Sequence, residues 1–115
     1  MQRGEIRIVS FDPARGSEVR KRRPAVIVSN DGANAAAARL GRGVITVVPL
    51  TSNVSRVHPF QVVLPASETG LERDSKAQAE QIRAVAIERV TRRIGLVPPS
   101  RMADLDEALR VQLAL

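Results

Sequence analysis

Short apolar runs rich in β-branched residues, broken at regular intervals by glycine and proline, fill most of this 115-residue chain. From Gly4 to Phe11 the apolar positions Ile6, Val9 and Phe11 stand among extended-chain formers, which predicts a first strand closed by Asp12-Pro13. A loop reaching Arg22 follows, and Pro24 to Ser29 reads as a second, compact strand. The alanine-rich stretch from Ala33 to Leu40 is a helix, with Asn30 or Asp31 as its cap and Gly41 and Gly43 as its stop. Val44 to Val48 is the strongest strand signal, and Pro49 to Asn53 reads as a turn or an exposed strand end.

Pro59 to Leu64 predicts another strand, with weaker extended segments at 76–79, 84–87 and 94–97. Pro98-Pro99-Ser100 then announces a C-terminal helix with Ser100 as its cap. Its apolar stripe is Met102, Leu105, Leu109 and Leu113, and Asp104, Asp106 and Glu107 fall near its start, where they favour the helix dipole. Together these elements predict an α+β, mainly β domain: an antiparallel sheet or small barrel with one short internal helix and one terminal helix. A length of 115 residues suits a single domain spanning 1–115.

Composition narrows the chemistry. There is no Trp, Tyr or Cys, and Phe11 and Phe60 are the only Phe residues, so the core is aliphatic and serial base stacking on aromatic platforms is excluded. Without cysteine the fold owes nothing to an oxidising compartment, and no apolar segment has the length of a membrane span or signal core; a cytoplasmic location is the default. The net charge of +6 fits a polyanionic partner, RNA or an acidic protein tail. Only Lys21 and Lys76 among the 18 cations are lysine, a bias that reflects a genome rich in G and C more than phosphate recognition.

The charge imbalance concentrates before Pro24, where Lys21-Arg22-Arg23 runs straight into the second strand. A charge run alone is most simply a solvated surface. Here Pro24 pushes Arg23 towards extended backbone, which gives its guanidinium a fixed direction, and a directed arginine suits a phosphodiester or its transition state. Metal chemistry has little to draw on: His58 is the only histidine, no metal-ligand motif is present, and the carboxylates have no two-metal spacing, so no metal or cofactor is expected. His58 itself reads first as a loop histidine and next as a peripheral RNA contact. What remains is arginine and hydroxyl chemistry from Arg23, Thr51 and Ser52, assisted by Glu18 or by the segment Glu80 to Arg83. RNA makes so small a set sufficient, because its own 2′-hydroxyl is the nucleophile.

The chain resembles the MazF/PemK/Kid family of bacterial toxin endoribonucleases over essentially its whole length. The resemblance rests on Arg3-Gly4-Glu5-Ile6 with Asp12-Pro13 and Gly16-Ser17-Glu18; on Arg22-Arg23-Pro24 through Asn30; on Val47-Val48-Pro49-Leu50-Thr51-Ser52; on Pro59-Phe60-Gln61-Val62-Val63-Leu64; and on Ala79-Glu80-Gln81-Ile82-Arg83. It departs from the family at Arg7, where an aromatic residue is common, and at Ser10 and Glu80, where Asp is common. The resemblance implies an SH3-like barrel, a homodimer, and sequence-specific, metal-independent cleavage of single-stranded RNA. Cleavage would follow 2′-hydroxyl attack and leave a cyclic phosphate and a free 5′-hydroxyl.

Arg23 falls on the family's catalytic arginine and Thr51 on its threonine, with Ser52 as the neighbouring hydroxyl and Glu18 as an acidic loop position. The RNA-binding set it implies is Arg20, Lys21, Arg22, Asn53, Arg56, His58, Gln81 and Arg83. The implied partners are an acidic antitoxin whose tail shares the RNA groove, and operator DNA reached through that antitoxin. The same barrel serves toxins that poison gyrase without cutting RNA, so a noncatalytic binding module is the alternative.

Overall fold

The computed structural model describes residues 1–11, 16–17 and 21–115. Seven strands and three helices follow in the order β1 (Glu5–Ser10), β2 (Arg22–Ile27), α1 (Asp31–Leu40), β3 (Val44–Thr51), β4 (Gln61–Leu64), α2 (Ala66–Thr69), β5 (Ser75–Gln78), β6 (Arg83–Ala86), β7 (Val90–Leu96) and α3 (Pro99–Leu113). Single 3-10 turns at Ala79–Gln81 and Ile87–Arg89 flank β6. Among the described residues all strand pairs are antiparallel, in the order β4-β5-β3-β2-β1-β7, with β6 pairing on β3. The small antiparallel barrel expected from the sequence is therefore an open one: among the described residues no hydrogen-bonded pairing joins β4 to β7.

Strand alternation sends side chains to two separate cores. Ile6, Val26, Val48, Leu50, Val62, Leu64 and Ala77 pack with Leu105 and Ala108 of α3. Val9, Phe11, Ala25, Ile27, Ile45, Val47 and Val85 form the other cluster, closed by Ala37 of α1. Phe11 is thus the single aromatic ring of either core, while Phe60 stacks on His58 outside them.

Helix α1 starts at Asp31, two residues before the expected Ala33, because the Asn30 side chain accepts from the Ala33 N–H at 2.8 Å. Gly41 ends it in the left-handed conformation, with φ of 65°. Asn34 is fully buried beneath this helix, donating from Nδ2 to the Ser29 carbonyl at 2.9 Å and accepting from the Ser29 hydroxyl at 2.5 Å. That hydroxyl oxygen in turn accepts from the Thr46 N–H at 3.1 Å, so one buried amide joins α1 to β3.

Several boundaries differ from the sequence expectation. Of the turn or exposed strand end expected at Pro49 to Asn53, the strand holds as far as Thr51, since Leu50 is buried in the core and Leu50 and Thr51 pair with β5. Ser100 is not the cap of α3: the helix begins at Pro99, whose missing N–H would have had no intrahelical partner there anyway. The first turn of α3 consequently holds no acidic residue, and Asp106, deeper in the helix, instead pairs with Arg3 at 2.6 Å. Leu105 is buried and Met102 and Leu109 pack against the core, but Leu113 is 48% exposed because α3 runs past the sheet. Helix α2 was not foreseen, having only four residues.

Candidate functional site

Three cross-strand pairings locate the predicted residues. Val9 pairs with Arg23 between β1 and β2, and Thr51 pairs with Lys76 between β3 and β5. The β2–β3 register runs Ile27 to Val47, Val26 to Val48 and Ala25 to Pro49, and its continuation places Arg23 opposite Thr51. Val63 of β4 completes the row by pairing with Lys76. One line across five strands therefore reads Val9, Arg23, Thr51, Lys76, Val63, with side chains on one face. The β2–β3 pairing stops at Ala25, short of the Arg23–Thr51 position, and the two prolines next to that stop, Pro24 and Pro49, carry no N–H to donate.

The hydroxyl oxygen of Thr51 accepts from the Asn53 N–H at 3.2 Å. That bond occupies a lone pair and leaves the hydroxyl proton available to a phosphate oxygen. Asn53 in turn accepts from the Ser55 N–H and hydroxyl at 3.2 and 2.8 Å. The far end of the β3–β4 loop is held by Gln61, whose Oε1 accepts from the His58 N–H at 3.1 Å and whose Nε2 donates to Glu80 at 2.8 Å.

Beside this row lies a groove of about 600 Å³. Ile8, Pro24, Leu50, Leu71 and Ile94 give it an apolar lining, and Lys21, Arg22, Arg23, Arg73 and Arg92 border it against one carboxylate, Glu72. Thr51 and Ser52 line it as well. Lys21 enters β2 with φ of 65°, a conformation rare for a residue other than glycine, and its carbonyl accepts from the Phe11 N–H at 2.9 Å. That strained entry aims the basic tract at the groove. Arg22 reaches the Thr91 hydroxyl at 3.5 Å.

Lys21, Arg22, Arg23, Thr51 and Ser52 are thus brought to one place. Asn53, Arg56 and His58 follow on the adjoining loop but do not line the groove. Gln81 donates to the Ser17 carbonyl at 3.2 Å, which ties it to the β1–β2 connection, and the Arg83 guanidinium lies 5.5 Å from the centre of the Phe11 ring, a cation–π contact. Glu18 and Arg20 fall outside the described residues, as does the Asp12-Pro13 strand stop. Sequence reasoning missed Arg73 and Arg92: they belong to no motif and meet the basic tract only because the α2–β5 connection and β7 line the same groove. Among the described residues no cluster of three metal-ligating side chains occurs, and no helix is long and apolar enough to cross a membrane.

The family model for PemK-like, MazF-like toxins of type II toxin-antitoxin systems matches residues 2–113. The chain belongs to this family. It is 64% identical over 115 residues to endoribonuclease MazF9 of Mycobacterium tuberculosis, covering all of this chain and 98% of the relative. MazF from Deinococcus radiodurans superposes with a TM-score of 0.79 at 25% identity, covering 100% of this chain and 97% of that one. A mycobacterial endoribonuclease solved with its cognate antitoxin has the same fold, with a TM-score of 0.79 at 23% identity over 100% of this chain and 96% of its own. The family and the mainly antiparallel fold with a C-terminal helix expected from the sequence agree with these matches.

Proposed function

We propose that this protein is a toxin endoribonuclease that cleaves single-stranded RNA by 2′-hydroxyl attack, with Arg23 and Thr51 as its phosphate-handling pair. The observation that carries this reading is the shared position of the two residues at one strand end, beside a groove bordered by five cations and one carboxylate. The full-length relative named an endoribonuclease supports the reaction class.

In the reaction the 2′-oxygen bonds to phosphorus, the bond from phosphorus to the 5′-oxygen breaks, and the 2′-proton leaves as a proton is delivered to the 5′-oxygen. The products are a 2′,3′-cyclic phosphate and a 5′-hydroxyl. Arg23 neutralises the charge that builds on the phosphorane oxygens and donates towards the leaving oxygen. Thr51, its oxygen already committed to the Asn53 N–H, donates its proton to a phosphate oxygen and fixes the in-line geometry. Ser52 is a second hydroxyl at the rim, Glu18 is the acidic candidate from the loop, and Lys21 and Arg22 steer the backbone. The apolar lining of Pro24, Leu71 and Ile94 gives unstacked bases a surface to cover.

The same cationic groove takes the acidic tail of an antitoxin, and a homodimer in the cytoplasm is the working form. Incubation with structured and unstructured RNA in excess chelator, followed by mapping of the ends, tests the reading. Cuts in single-stranded segments ending in cyclic phosphate are expected. Intact RNA, or cutting that requires metal, overturns it in favour of a noncatalytic module.

A further inference from the structure

Lys76 is the one lysine inside this fold, 8% exposed, and no ion pair joins it to a carboxylate among the described residues. A buried ammonium is retained at a cost unless its hydrogen bonds accomplish something. Its pairing with Thr51 and Val63 sets it on the outer face of β5, away from the core that its neighbour Ala77 enters. From there Nζ donates to the carbonyl oxygen of Arg56, in the middle of the otherwise exposed β3–β4 loop. The other tethers of that loop lie towards its ends, from the Asn53 N–H to Thr51, between His58 and Gln61, and from the Ala79 N–H to the Phe60 carbonyl. Among the described residues, the lysine is what holds its crown.

We propose that Lys76 is a positioning residue for RNA recognition: its ammonium pins the Arg56 carbonyl, folds the 53–58 loop over the strand end that carries Thr51, and so fixes where Asn53 and Arg56 meet the bases flanking the cut. This rests on the RNA-cleaving reading of the site. A loop without its central tether would still let Arg23 and Thr51 handle a phosphate, but would hold the flanking nucleotides loosely. The assigned effect is therefore on substrate binding and sequence choice, with the chemical step largely retained.

The test uses the full-length protein with Lys76→Met, which keeps the length and apolar stem, and Lys76→Arg, which keeps the charge and donors. In Lys76→Met, amide hydrogen exchange in residues 53–58 rises by roughly tenfold or more while β3 and β5 stay protected, because a charge-assisted bond has been lost. On RNA its KM rises by about tenfold with kcat within about threefold, and the cleavage-site consensus broadens. Lys76→Arg restores the loop protection and the consensus. Unchanged exchange, KM and consensus in Lys76→Met overturn the proposal, as does a loss confined to kcat, which would assign the ammonium to chemistry.

A second measurement needs no variant: in the wild-type protein the Lys76 ammonium shows slow proton exchange and a through-bond coupling to the Arg56 carbonyl. Fast exchange without coupling overturns the tether even where Lys76→Met fails to fold. The exchange measurements are made without RNA, so an inactive wild-type protein would defeat the cleavage reading while the tether stands or falls separately.

Discussion

Thr51 Oγ1 accepts from the Asn53 N–H at 3.2 Å, so the hydroxyl next to Arg23 in the row keeps its proton free for a further acceptor. Thr51→Ser keeps both the acceptor and the proton and is expected to retain most cleavage. Thr51→Val keeps the shape but removes the donor, and Arg23→Ala removes the guanidinium. Each should lower kcat by about 100- to 1,000-fold, the usual loss when one preorganised donor to a developing oxyanion is removed. Single-turnover cleavage of a short RNA measures this, with circular dichroism showing intact folds. Full activity in Arg23→Ala would refute the assigned chemistry.

Arg73 and Arg92 border the groove without a motif to announce them. If they contact phosphates, Arg73→Ala and Arg92→Ala should each flatten the dependence of log affinity on log salt by about one contact, or roughly 0.7 in slope for a single strand. They should weaken all RNA sequences alike, since phosphate contacts position without specifying. Fluorescence anisotropy across a salt series, with a 2′-O-methyl RNA that offers no 2′-hydroxyl nucleophile, checks both statements.

Asn34 is a structural polar residue, joined by hydrogen bonds to Ser29 and through it to β3. Asn34→Ala removes the fully buried amide and leaves the half-buried Ser29 carbonyl and hydroxyl without this partner, and should cost about 1–3 kcal/mol of unfolding free energy. Urea denaturation measures it. RNA cleavage by the remaining folded protein should be unaffected, because the amide lies on the α1 side, away from the groove.

Glu68 of α2 meets Arg101 of α3 at 2.9 Å, and the hydrogen bond from that guanidinium holds its carboxyl below the ordinary value of 4.5. A depressed pKa in the folded state means that the contact's contribution to stability is present above the unfolded carboxyl pKa and fades as pH falls through the folded midpoint. Both groups are solvent-exposed, so the effect on global stability is small. Carboxyl NMR titration should place the Glu68 midpoint below 4.5 in the wild type and move it upward in Arg101→Ala.

Much of this fold was legible because continuous apolar runs mark strands whose two faces enter the two cores, as in Val47-Val48 and Ala25 to Ile27. Pro49 hid the continuation of β3 to Thr51: proline reads as a stop, yet here the strand passes through it to pair Leu50 and Thr51 with β5. The Ser100 cap failed because two adjacent prolines already provide a start for α3. At the candidate site, Arg23 and Thr51 are the residues that motifs single out, and the strand register brings them to one sheet end. Lys76 was not legible, since an isolated lysine in a weak strand signals nothing until the loop folds over it. Arg73 and Arg92 are separated in sequence by 19 positions and come together only where the α2–β5 connection and β7 line one groove.

The β2–β3 pairing ends before it reaches Arg23 and Thr51, and the prolines beside its last rung supply no donors. Each residue is held in place by its other neighbour, Arg23 by Val9 and Thr51 by Lys76. A phosphate bridging the guanidinium and the hydroxyl, as proposed above, would add the cross-strand link that the backbone leaves out. On that reading a tightly bound RNA analogue acts as the missing rung, and resistance of the strand end to unfolding gauges how well the phosphate is gripped.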